Sequence, residues 1–144
     1  MLINAQGLIF VAKRLDSRDA WQMPQGGIDK NEKAKATALR EMKEEIGTDR
    51  GEILGKTKNW LKYDLPPEIA SRIWKGKYRG QKQRWFAIRF TGTDADIDLK
   101  HTSHPEFDDW KWVPVDELLA SIVPFKRDLY EDIIADLGHF ATPT

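Results

Sequence analysis

The chain has 144 residues, 40% of them hydrophobic, and its 23 basic and 23 acidic side chains leave no formal net charge. That length favours a single domain over residues 1–144, large enough to bury a core unaided. Zero net charge supplies no global field for nucleic acid, and the absence of cysteine excludes a disulfide scaffold, a zinc ribbon and a cysteine nucleophile.

Leu8 to Arg14 reads as a strand, with Met1 to Ile3 as its hairpin partner across the turn-forming Asn4-Ala5-Gln6-Gly7. Trp21 to Gly27, with Pro24 and paired glycines, reads as a loop. Asn31 is a suitable N-cap for a helix reaching about Ile46, and Gly47 is a suitable residue just past its end. Ile53 to Leu61 and Gln81 to Phe90 are expected as strands, followed by a short one at Trp110 to Val113. Two helices close the chain, Asp116 to Ser121 and Phe125 to Leu137, the second stopped by Gly138. Strands mixed with three helices, one of them mid-chain, predict a sheet covered on both faces. The N-terminal stretch lacks the charged leader and cleavage pattern of a signal peptide, and no run approaches the ~20 apolar residues of a membrane span. A cytoplasmic protein with neither DNA nor membrane as partner is expected.

Charge is nevertheless segregated. Leu65 to Phe90 holds seven basic residues (Arg72, Lys75, Lys77, Arg79, Lys82, Arg84, Arg89) against Glu68, a net of +6. Asp94 to Glu117 holds eight acids against Lys100 and Lys111, a net of −6. Such runs are commonly solvated faces, but Trp74, Tyr78, Trp85 and Phe86 interleave with the cations. Cations beside stacking rings suit a polyphosphate attached to a base.

The sharpest feature is Arg40-Glu41-Met42-Lys43-Glu44-Glu45-Ile46-Gly47. At about 100° per helical residue, Glu44 falls about 60° to one side of Glu41 and Glu45 about 40° to the other, so three carboxylates share a face. Leu39, Met42 and Ile46 fall between about 100° and 160° and form an apolar stripe. Like charges at these spacings repel. Either neighbours such as Arg40 and Lys43 relieve an exposed face, or a divalent cation does, in which case all-oxygen ligands select Mg²⁺ or Mn²⁺ over zinc.

Flanking residues decide between these. Gly26, Glu32, Arg40, Glu41, Glu44, Glu45 and Gly47 stand in the register of the Nudix box, and the chain is identified as resembling Nudix hydrolases. At residue frequencies of roughly 5–10%, a chance match is on the order of one in a million. Thr48 departs from the usual aliphatic residue. The resemblance implies an α/β Nudix fold, a mixed sheet sandwiched between helices, and metal-assisted attack of water on phosphorus. It implies that Glu41, Glu44 and Glu45 hold Mg²⁺ or Mn²⁺, that Arg40 orients carboxylates, and that Gln25, Gly26 and Gly27 border the substrate phosphates, the glycines admitting close backbone approach.

Further stretches resemble the bacterial RNA 5′-pyrophosphohydrolases, which overlap with the dinucleoside polyphosphate hydrolases. They are Trp21 to Ile28, Asn59 to Pro66, Gly80 to Phe86, Pro105 to Val113 and Val123 to Tyr130, in order over nearly the whole chain. By that resemblance Glu106 is a fourth metal-binding carboxylate or the base for the water. Arg14 resembles a phosphate contact, though a lone arginine at a strand end is commonly solvent-facing. Lys82 binds phosphate or solvates a sheet edge, and Tyr63 lines the site or packs in the core. Val123, Phe125 and Lys126 resemble a wall for a base of the RNA end, an alternative for Phe125 being a core contact. His101 and His104 are not read as a metal pair, for want of a third nitrogen or sulfur ligand. The family carries a segment ahead of the first strand, with a Tyr-Arg pair, and the sequence starts after it. The substrate implied is a triphosphorylated RNA 5′ end or, alternatively, a dinucleoside polyphosphate such as diadenosine tetraphosphate. A non-catalytic nucleotide- or RNA-binding module would be expected to have lost carboxylates, and all four are present.

Overall fold

The computed structural model describes residues 1–15, 21–24, 34–64, 80–102, 105, 107–122 and 126–144. In chain order the strands are β1 (Leu2–Ile3), β2 (Ile9–Arg14), β3 (Trp21–Gln22), β4 (Gly51–Lys56), β5 (Leu61–Asp64), β6 (Gly80–Gln83), β7 (Phe86–Phe90) and β8 (Phe107–Val113). The helices are α1 (Ala34–Ile46), α2 (Leu118–Ser121) and α3 (Arg127–Leu137).

β2 is the centre. Its run Ile9-Phe10-Val11-Ala12 is apolar throughout rather than alternating, as a strand covered on both faces requires. Ile9 and Val11 enter one core cluster while Phe10 and Ala12 enter the other. β8 runs antiparallel along one edge of β2, from Ile9↔Val113 to Arg14↔Phe107. The other edge is shared by β1, through Ile3↔Ile9, and β3, through Ala12↔Gln22. β1 continues into β7 in parallel, Leu2↔Ile88, and β7 pairs antiparallel with β4 out to Lys56↔Phe86. These six strands form one mixed sheet, and β5 and β6 form a separate ribbon from Leu61↔Gln83 to Asp64↔Gly80.

Both faces of the sheet are covered, as expected. On one, Met42 and Ile46 of α1 pack with Leu2, Phe10, Phe86 and Ile88. On the other, Leu118, Ile122, Leu129, Tyr130, Ile133 and Leu137 from the α2–α3 region pack with Ile3, Ile9, Val11 and Ala87. Asn4 closes the β1–β2 turn by accepting the Gln6 and Leu8 amides on its side chain, and Gly7 takes the left-handed φ of 82° that the turn needs. Among the described residues no helix is long and apolar enough to cross a membrane.

Several boundaries differ from the sequence expectation. Trp21 and Gln22 are not loop but a short strand, because β2 offers them an edge beyond the end of β1. The stretch 53–61 is two strands in two sheets, broken at 57–60, and 81–90 breaks likewise at Arg84-Trp85. Thr57 causes both breaks. Its hydroxyl donates to Asn59 O (3.0 Å) and accepts the Trp85 amide (3.2 Å), while its own amide donates to Trp85 O (2.8 Å). Side-chain bonds there replace ladder bonds and turn the chain from one sheet to the other. Gly138 caps the last α-helix after Leu137, as expected, but without a left-handed turn. Its φ is −58° and the chain continues as a 3-10 turn, Gly138–Phe140, that sets the Phe140 ring beside Gly55.

Candidate active site

α1 ends as its sequence requires. Gly47 has φ 85°, its amide donates to Lys43 O at 2.9 Å, and the carbonyl of Ile46, left without a helical partner, accepts the Asp98 amide at 2.8 Å. Thr48, the departure from the box, is buried and accepts the Arg50 amide on its hydroxyl. With Met42 and Ile46 in the core, the opposite side of α1 carries the glutamates. Arg40 grips two of them with one guanidinium, Nη2 lying 2.9 Å from Glu41 Oε1 and Nη1 2.8 Å from Glu44 Oε1. The side chain of Glu41 is 21% exposed and that of Glu44 57%, so the pair spans the border between protein and solvent.

Register locates this face relative to the sheet. Lys56↔Phe86, Leu2↔Ile88 and Ile3↔Ile9 put the end of β4, the start of β7, Met1 and the Val11-to-Arg14 half of β2 at one end. The Met1 amine donates to Phe86 O at 2.7 Å. Burial pushes this amine down to about 5, and the nearby Glu45 carboxylate works against that shift, which places Glu45 at the same end of the sheet. Arg14 ends β2 there, opposite Phe107.

On the other face, Lys126 precedes α3 and is only 5% exposed. Burial, and after it the charge of Arg14, pull the Lys126 ammonium down to about 8. Its Nζ lies 3.4 Å from Gln22 Oε1. The Tyr130 hydroxyl, fully buried in α3, accepts the Met23 amide at 2.8 Å and fixes the segment leading toward residue 25. Sequence reasoning passed over Gln22 and Tyr130. The signal for Gln22 is a polar side chain wedged between Trp21 and Met23, and Tyr130 carries only the pattern of an apolar helix face.

Among the expected site residues, Arg40 contacts Glu41 and Glu44, Glu45 lies near the Met1 amine, and Arg14 and Lys126 are close enough to repel. Gln25, Gly26, Gly27, Glu106, Val123 and Phe125 lie outside the described residues, as do the N-cap Asn31 and box residue Glu32. Tyr63 and Lys82 belong by backbone to β5 and β6, and their side chains are outside the described part. His101 hydrogen-bonds its ring to Asp98 O (3.2 Å), and His104 is not among the described residues. Among the described residues no three His or acidic groups gather closely enough to hold a metal. In kind, however, the donors fit one: Glu41 and Glu44 each turn a hard oxygen onto a single positive centre.

A family model described as the NUDIX domain matches residues 1–133. The chain is 61% identical over 143 residues to a Rhodospirillum rubrum protein named RNA pyrophosphohydrolase, covering 99% of this chain and 86% of that one. A Rickettsia typhi protein of the same name is 52% identical over 137 residues (94% and 84% covered), and one from Wolbachia of Culex pipiens is 50% identical over 138 (96% and 85%). Among solved structures, the E. coli dihydroneopterin triphosphate pyrophosphohydrolase superposes with a TM-score of 0.66 at 18% identity, over 94% of this chain and 92% of that one. A C. elegans Ap4A hydrolase superposes with a TM-score of 0.64 at 19% identity, over 96% of each chain. The two likenesses show a shared fold.

Proposed function

The chain belongs to the Nudix family, and on that premise we propose that it is an RNA 5′-pyrophosphohydrolase. Water adds to a phosphorus of a 5′-triphosphate, a phosphoanhydride P–O bond breaks, and pyrophosphate leaves a 5′-monophosphate on the RNA. The observation that carries this choice of substrate is identity of 50–61% over nearly the whole chain to proteins named for that reaction. Geometry supports the chemistry, because Arg40 holds Glu41 and Glu44 side by side instead of letting them repel each other outward.

Glu41, Glu44 and Glu45, together with Glu106, would hold Mg²⁺ or Mn²⁺, which when bound would acidify a water and stabilise the leaving phosphates. The protein's own residues do the rest. Arg40 fixes the carboxylate geometry without touching substrate. Arg14 and Lys126, two cations at one end of the sheet, bind the polyphosphate and the base next to it. Gln25, Gly26, Gly27 and Lys82 border the phosphates, and Tyr63, Val123 and Phe125 flank the base. Glu106 serves as ligand or as base for the water.

Turnover of 5′-triphosphorylated RNA and of diadenosine tetraphosphate, at equal concentration with Mg²⁺, tests the reading. RNA is expected to be the better substrate, with Glu45→Gln losing at least 100-fold on it while keeping its circular dichroism spectrum. Consumption of the dinucleotide with RNA left intact would sink the choice of substrate. An unchanged rate in Glu45→Gln would move the active site elsewhere.

A further inference from the structure

Trp60 is an anomaly. Tryptophan is the side chain with most apolar surface to hide, and Trp85 is buried accordingly, yet Trp60 is 54% exposed at the break between β4 and β5. Among the described residues, Thr57 and Trp85 close that break by hydrogen bonds that do not involve Trp60. Arg84 lies over the ring in an organised position. Arg84 Nε donates to Thr57 O (3.2 Å) and Nη2 to Lys58 O (2.8 Å), which holds the guanidinium 5.8 Å from the Trp60 ring centroid. Among the described residues those bonds go to neutral carbonyls, so no carboxylate cancels the Arg84 charge. Exposed Lys56 and Lys58 stand just before Trp60 in the chain, and among the described residues the acidic contact there is Asp136 at the Lys58 amide.

Strand register places this pair with respect to the glutamates. Residues 57–60 follow the end of β4 and Arg84 precedes the start of β7, at the same end of the sheet as Met1, Glu45 and Arg14. From β4 across β7 and β1 to β2 is three strand spacings, about 14 Å. A substrate held by its phosphates at β2 reaches Trp60 only if it continues well past its first nucleotides.

We infer that Trp60, backed by Arg84, is a stacking platform for a base of the single-stranded RNA beyond the 5′ end being hydrolysed, with Arg84, Lys56 and Lys58 attracting the adjoining phosphates. An exposed ring beside a guanidinium bonded to neutral carbonyls is the pairing by which proteins hold single strands without reading their sequence. The inference extends the proposed function by naming a second substrate contact, outside the residues that hold the reacting phosphates.

Two measurements on the intact protein test it. The first is binding of a fluorescent, 5′-monophosphorylated, unstructured RNA of about twelve nucleotides, a length one single-strand groove engages. Trp60→Ala is expected to weaken binding roughly 5- to 10-fold, and Trp60→Phe, which keeps a ring, to recover most of it. The second is hydrolysis. Trp60→Ala is expected to raise KM for a triphosphorylated RNA of that length by a similar factor, and to leave kcat and the KM for a triphosphorylated dinucleotide unchanged. Equal binding by wild type and Trp60→Ala overturns the inference and marks the ring for another partner, such as a protein. An equal KM change for long and short substrates overturns it too, by making Trp60 part of the cleft or of the fold. If RNA binds through Trp60 but is never hydrolysed, the platform stands and the proposed activity fails.

Discussion

At the scale of single residues, Lys126 carries a charge that works against the stability of the fold. A buried ammonium beside a guanidinium is disfavoured twice, by lost hydration and by like charge, and its pKa falls from 10.5 to about 8. The unfolded chain therefore holds this proton more tightly than the folded one. Below pH 8 both states carry it and the folded state bears the full penalty, about 3 kcal/mol from a shift of that size. Between pH 8 and 10.5 the folded state sheds the proton first, so stability contributed by this group rises with pH. Lys126→Met is expected to be more stable than wild type at pH 7 by up to about 3 kcal/mol in urea unfolding, with the gap closing toward pH 10. A gap that is constant across that range would show that Lys126 is not the group responsible. If the proposed polyphosphate contact holds, a bound polyphosphate would neutralise both cations, so an anion at millimolar concentration is expected to narrow the same gap at pH 7.

At the scale of elements, α1 depends on how it stops. Gly47 is left-handed, and a Cβ there would lie 2.7 Å from Asp98 O, so Gly47→Ala strains the backbone and meets an immovable carbonyl. Gly7 makes an informative control, since its φ is 82° and its added Cβ would lie 2.8 Å from the Thr142 carbonyl carbon. Both alanine variants are expected to lose about 1–3 kcal/mol of stability in denaturant unfolding. Only Gly47→Ala, which shifts the last turn carrying Glu44 and Glu45, should raise the Mg²⁺ concentration needed for half-maximal activity. Identical metal titrations for the two would detach the helix terminus from the site. Much of α1 was legible because each local signal agreed: the apolar stripe, the terminal glycine and the shared glutamate face all follow from 3.6-residue periodicity. The Arg40–Glu44 pair follows from it too, whereas the bond to Glu41 does not, because adjacent helical residues do not face each other and only the length of arginine bridges them. The breaks at Thr57 and Arg84 escaped notice because they rest on hydrogen bonds between segments 28 residues apart, which periodicity cannot register. The pairing of β1 with β7 escaped for the same reason.

At the scale of the whole molecule, the zero net charge is a poor guide to how the protein meets a polyanion. Opposite charges are sorted along the chain, and what lies within a Debye length of the glutamate end decides the encounter. Arg14 and Lys126 are at that end, with Arg84, Lys56 and Lys58 further along it. The acidic strand β8, with Asp108 and Asp109, borders β2 on the opposite side. A molecule responding to its net charge alone would bind RNA with no dependence on salt. One that neutralises two or three phosphates locally releases their counterions, with a slope of about −0.7 per phosphate in log affinity against log salt for a single strand. Between 50 and 200 mM KCl at fixed Mg²⁺, affinity for triphosphorylated RNA is therefore expected to fall roughly 7- to 20-fold. The melting temperature should move little over the same range, since exposed ion pairs such as Arg127–Glu131 contribute little to it. A flat binding profile would mean that the cations gathered at this end of the sheet do not touch the substrate's phosphates, and the positive roles given to Arg14 and Lys126 would fall with them.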